Sequence, residues 1–94
     1  MMNLYELRKS GEINQGHDIY ARVVARACGM SQNKYFRAER GLYIPNALET
    51  RNLARFFNIS LESMTAIIDE TVNRRVKQEE EQQHPITEEA IATP

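Results

Sequence analysis

An all-α domain of five helices is what the sequence predicts, on two observations. Apolar residues recur at three- and four-residue steps along most of the chain. The stretches carrying that pattern begin after Asn, Asp or Ser and stop at Gly or Asn. Side chains at the entry points accept backbone N–H groups that the first helical turn leaves unpaired, and Gly or Asn tolerates the left-handed backbone that ends a helix. With 94 residues the chain makes one small domain with a modest core, so support from a partner subunit is expected.

The elements follow in order. Asn3 and Glu6 have capping-box spacing, and Leu4 and Leu7 give a short first helix one apolar side. "KSGEINQGHD" has two glycines and little apolar content and reads as a loop. Asp18 is placed to cap a second helix that runs to about Cys28, with Ile19, Val23, Val24 and Ala27 as its buried stripe and Gly29 as its stop. Ser31 caps a third helix that ends at Gly41, with Met30 and Tyr35 spaced as a hydrophobic staple. Pro45 keeps "LYIP" a loop. Asn46 and Glu49 open a fourth helix with Leu48, Leu53, Phe56 and Phe57 on its apolar face, and Asn58 closes it. Ser60 caps a fifth helix in which Leu61, Met64, Ile67, Ile68, Val72 and Val76 keep helical spacing.

That last stripe outlasts the need of a five-helix core. Leu61, Met64 and Ile68 are expected to close the core, while Ile67, Val72 and Val76 call for a second copy of the chain. From residue 82 onward the sequence is polar, free of aromatics and interrupted by two prolines, which reads as a disordered tail. The expected organisation is a domain over residues 1–68, a helical extension over 69–81 and a tail over 82–94.

Charge is unevenly distributed. Residues 1–60 carry nine Lys/Arg against five Asp/Glu, and residues 61–94 carry three against eight. A basic front and an acidic back suit a polyanionic partner met through one face. The one cysteine, Cys28, reads as a small buried hydrophobe, and the two distant histidines give no metal-ligand spacing. No Cys/His/Asp cluster and no glycine-rich phosphate loop is visible, so neither an enzyme nor a metal or other cofactor is expected. The apolar runs fall short of the ~20 residues a membrane span needs, and the opening does not read as a signal sequence. A soluble, cytoplasmic protein is the expectation.

The third helix has the most informative surface. At about 100° per residue, with Gln32 at zero, Phe36 falls near 40°, Asn33 near 100° and Arg37 near 140°, while Tyr35 and Ala38 fall on the opposite side. Gln32, Asn33, Phe36 and Arg37 therefore share an outward face. Gln and Asn pair with the major-groove edge of adenine, Arg with guanine, and Phe meets a thymine methyl. Taken alone, the face fits base edges or plain solvent equally.

The frame around it decides. "VARACGMSQNKYFRAERGLYIP" resembles the core of the Cro/CI-type (XRE-like) helix-turn-helix family. Ala25 precedes the turn glycine, Gly29, by four residues; Met30 and Ser31 follow; Glu39, Arg40 and Gly41 end the third helix, and Pro45 comes four residues later. "LARFFNISLESM" looks like the family's closing segment, so the resemblance spans roughly residues 4 to 68. It implies a lambda-repressor-like fold with double-stranded DNA as partner. It puts Gln32, Asn33 and Arg37 at base-reading positions, whereas Phe36 is placed there by helical geometry alone. It puts phosphate contacts at Arg40, Tyr43 and Asn46, and a structural salt bridge between Arg8 and Glu39; Lys34, a cation on the same helix, is a further candidate for phosphate. The chain departs from the family in a longer link between the first two helices and in Ala21, which stands where a phosphate-gripping Gln is common. Tyr20 or Arg22 is the candidate replacement, and Arg22 reads equally as a solvated residue. The implied function is a dimeric, sequence-specific transcriptional repressor reading a palindromic operator. The alternative is an antitoxin that binds its own operator and holds a toxin protein through the acidic C-terminal segment.

Overall fold

The computed structural model describes residues 2–92, with side chains described over residues 2–80. Its elements are α1 (Leu4–Gln15), α2 (Ala21–Ala27), α3 (Gln32–Glu39), α4 (Ala47–Phe57) and α5 (Leu61–Ala92), and no strand occurs among the described residues. Four of the five expected N-terminal caps form, at Asn3, Ser31, Asn46 and Ser60. Asn3 and Asn46 each make a full capping box, with Glu6 and Glu49 respectively. Ser31 accepts the Lys34 N–H at 3.1 Å, and Ser60 accepts the Ser63 N–H at 3.0 Å. No described helix is long and apolar enough to cross a membrane.

α1 absorbs most of the expected loop. Arg8 and Lys9 both reach Glu12, at 3.6 and 3.0 Å, which supports another helical turn. Gly11 acts as a contact and not as a breaker, because a Cβ there would fall 2.9 Å from Ile19 Cδ1. The helix stops one turn later at Gly16, with φ 74°.

α2 begins at Ala21, after Tyr20, and Asp18 does not cap it. The buried stripe is Ala21, Val24, Ala25 and Cys28, with Ile19 just ahead, whereas Val23 is 47% exposed and Ala27 also faces out. Both sets have helical spacing. The buried set carries the smaller side chains, which lets α2 lie close against α3 and α4.

Leu4, Val24, Cys28, Tyr35, Leu53 and Met64 form the fully buried centre of the core. Leu7, Phe56 and Phe57 pack around it. Leu48 departs from expectation, at 61% exposed, because α4 turns Glu49, Thr50, Leu53 and Ala54 inward. Leu61 likewise stays outside, and closure of the core falls to Met64 and Ile68.

α5 continues past the core, and much of its surplus stripe is used within the chain. Thr71 is buried, and its Oγ1 accepts the buried Leu4 N–H at 2.8 Å. Arg74 bridges Glu6 on α1, and Arg75 Nε donates to the Gly41 carbonyl at 2.8 Å. Of the residues expected at a dimer interface, Ile67 packs on the core of its own chain. The backbone of Val72 passes beneath Gly41, whose added Cβ would sit 3.2 Å from Val72 Cα. Val76 is the one left well exposed, at 39%. The stretch expected as a disordered tail continues α5 to Ala92, in keeping with its Gln, Glu and Ala content, all good helix formers, in spite of Pro85. Residues 93 and 94 lie outside the described residues.

Candidate nucleic-acid interface

The turn between α2 and α3 is tightly closed. Gly29 adopts φ 71°, the Met30 N–H returns to the Ala25 carbonyl at 2.9 Å, and Asn52 on α4 donates to the Cys28 carbonyl at 3.2 Å. Burial of Cys28 pushes its thiol up to about 11, so it remains a protonated, unreactive part of the wall. From this turn α3 sets Tyr35 and Ala38 into the core. Gln32, Asn33, Phe36 and Arg37 are all exposed on the opposite side. Phe36 stands 39% exposed, an apolar side chain among polar ones.

The far end of α3 is anchored by the expected ion pair. Arg8 Nε donates to Glu39 Oε2 at 2.6 Å and Nη2 to Oε1 at 3.1 Å, a two-pronged contact. The remaining nitrogen, Nη1, donates to the Ile19 carbonyl at 3.0 Å. One guanidinium thus ties α1, the entry to α2 and the end of α3 together.

Two of the expected phosphate contacts are engaged elsewhere. Glu49 accepts from Tyr43 Oη at 2.5 Å, from Lys34 Nζ at 3.1 Å and from the Asn46 N–H at 3.0 Å. The Lys34 ammonium also lies 5.0 Å from the Tyr43 ring centroid. Lys34 and Tyr43 are drawn to this buried carboxylate and do not stand free. Burial alone would raise the Glu49 carboxyl, but the hydrogen bonds from Tyr43, the Asn46 backbone and Lys34 together bring it below its ordinary value. Asn46 caps α4 by accepting the Glu49 N–H at its side-chain Oδ1, 2.8 Å away, and stays exposed. Sequence reasoning identified Glu49 as half of a capping box and missed the hub. The signal was local for Asn46, but for Lys34 and Tyr43 it required tertiary placement.

The carboxylates near α2 and α3 are largely consumed. Glu6, Glu12, Glu39 and Glu49 are each in an ion pair, and Asp18 receives the Tyr20 hydroxyl at 3.4 Å. Arg22, Arg26, Arg37, Arg40, Arg51 and Arg55 are exposed, and none has an acidic partner among the described residues. The Arg22 guanidinium lies 5.3 Å from the Tyr20 ring centroid. Phe36 separates two clefts. One, of about 330 Å³, is lined by Tyr20, Ala21, Arg22, Gln32 and Phe36. The other, of about 400 Å³, is lined by Asn33, Phe36, Arg37 and Arg40.

No family model, no curated protein and no solved structure matches the chain.

Proposed function

We propose that this protein is a sequence-specific double-stranded DNA-binding regulator of the Cro/CI helix-turn-helix kind, acting as a dimeric repressor. The observation that carries the reading is the outward face of α3. Gln32, Asn33, Phe36 and Arg37 project together from a helix whose other side is locked into the core. A helix fits the major groove, and these side chains match base-edge donors, acceptors and methyl groups there. The arginines without acidic partners on and beside this helix supply the sequence-independent attraction to phosphates. Arg40 and Arg22 are the phosphate contacts the geometry favours, with Asn46 at the start of α4. Lys34 and Tyr43 serve instead to hold Glu49.

One recognition helix reads too few bases to find a site in a genome. Two copies placed one helical turn apart, ~34 Å, read an inverted repeat. Selection from random duplexes followed by sequencing tests the proposal. The expected result is an enriched inverted repeat whose binding weakens steeply with salt. Absence of any enriched sequence at low salt would refute it.

A further inference from the structure

We propose that the outward face of α2 docks the acidic C-terminal segment of a second copy of the chain. The docking stands apart from the DNA-binding reading. Only its consequence, competition with a duplex at Arg22, rests on that reading.

α2 carries two apolar rows, and the core takes only one, that of Ala21, Val24, Ala25 and Cys28. Val23 and Ala27, one turn apart, are left exposed. Arg22 and Arg26 form the neighbouring row, also one turn apart. Neither arginine has an acidic partner among the described residues. These four side chains line a cleft of about 480 Å³. A phosphate backbone would satisfy the two cations but leave the Val23–Ala27 row uncovered. The fitting occupant is apolar and acidic at once. The C-terminal segment of the chain has that chemistry. Residues 80–94 contain four Glu and no Lys or Arg, and Glu88 and Glu89 stand in sequence between Ile86 and the pair Ala90 and Ile91. The segment leaves its own domain behind. α5 is one helix from Leu61 to Ala92, and beyond Arg75, which is bonded to Gly41, it runs on for roughly 25 Å. A single helix does not fold back on the domain it leaves, so the α2 it meets belongs to another copy.

A fluorescein-labelled peptide of residues 80–94 is titrated with the full chain and followed by anisotropy. Saturable binding that weakens with salt is expected. Arg22→Glu together with Arg26→Glu should weaken it by about fivefold or more, because two exposed ion pairs are lost and repulsion replaces them. A peptide carrying Glu88→Lys and Glu89→Lys should bind that variant better than the native peptide does. The altered peptide should also bind the native chain about fivefold less tightly, a readout that holds even if the double variant does not fold. Val23→Ser should weaken binding without changing its salt dependence. No binding, or binding indifferent to both sets of charge changes, overturns the inference. So does equal binding by a peptide of the same composition in scrambled order, which would make α2 a general acceptor of acidic segments. A duplex enriched from random sequence should displace the peptide. If selection enriches no sequence, the DNA-binding reading falls, and the peptide titrations alone decide the docking.

Discussion

Arg37 and Arg40 are close neighbours at the end of α3, yet their substitutions should fail differently. On the proposed DNA-binding reading, Arg37→Ala removes a base contact, so it should cost about 1–3 kcal/mol on the preferred duplex and relax choice at one position. On the same reading Arg40→Ala removes a phosphate contact, so it should weaken all duplexes alike and flatten the dependence on salt. Titrations on preferred and scrambled duplexes over a salt series separate the two, and identical behaviour would show the division of roles to be wrong. Arg8 is different again, because its effect is on folding. Glu39 is nearly buried and receives two bonds from Arg8. Arg8→Met would strand that charge at a cost of about 3–5 kcal/mol, and adding Glu39→Leu should recover much of the loss in denaturant midpoint. The Glu49 hub predicts a pH response. Its carboxyl lies below the ordinary value in the folded chain, so its contribution is complete above the unfolded-state pKa and is lost as pH falls through the lower, folded one. Glu49→Gln should therefore lower the melting temperature at neutral pH and reduce the further drop on acidification below about pH 4. An equal acid-induced drop in both proteins would remove Glu49 from the account.

At the scale of elements, the glycines show what a sequence reveals and what it withholds. Gly16 and Gly41 both have positive φ; Gly41 was legible as a helix stop, whereas Gly16 read only as part of a loop. Their surroundings were not legible. Nothing lies within 4 Å of a Cβ added to Gly16, so Gly16→Ala should carry only the left-handed penalty of about 1–2 kcal/mol. A Cβ on Gly41 would meet the Thr71 carbonyl oxygen at 2.8 Å, and backbone yields less readily than a side-chain tip. Gly41→Ala should cost clearly more than Gly16→Ala in chemical denaturation, and equal costs would mean that α5 does not press on this turn. The same contrast runs through the fold. Caps depend on residues three apart, so Asn3, Ser31, Asn46 and Ser60 could be placed from the chain alone. The outward face of α3 followed from helical period once Tyr35 and Ala38 were assigned inward. Gly11 misled because its value lies in contact with Ile19, across a turn that no local pattern shows. Val23 and Leu48 misled because two apolar stripes compete on one helix, and only the packing of its neighbours selects between them.

For the whole molecule, the issue is how two copies would meet. The apolar stripe of α5 suggested a broad dimer surface, but Thr71, Arg74 and Arg75 tie that part of the helix to α1 and Gly41. Removing everything after Ile68 would therefore damage the monomer, and a lower mass would not report on the interface. Val76→Glu is the cleaner change, since Val76 is exposed and lies beyond those ties. A dimer through α5 should dissociate in this variant by light scattering, with its helical content and melting temperature nearly unchanged. Operator affinity should fall with it, because separate half-sites no longer share one bound particle. Arg75 Nε bonds the Gly41 carbonyl and so joins α5 to the turn that follows α3; in the proposed dimer the distance between the two copies of α3 would be set through that junction. An unchanged mass for Val76→Glu, with the native chain dimeric, would move the interface elsewhere, with the exposed Leu42, Ile44 and Leu48 the next residues to substitute. Half-site spacing would then depend on the loop before α4 and would be insensitive to Arg75.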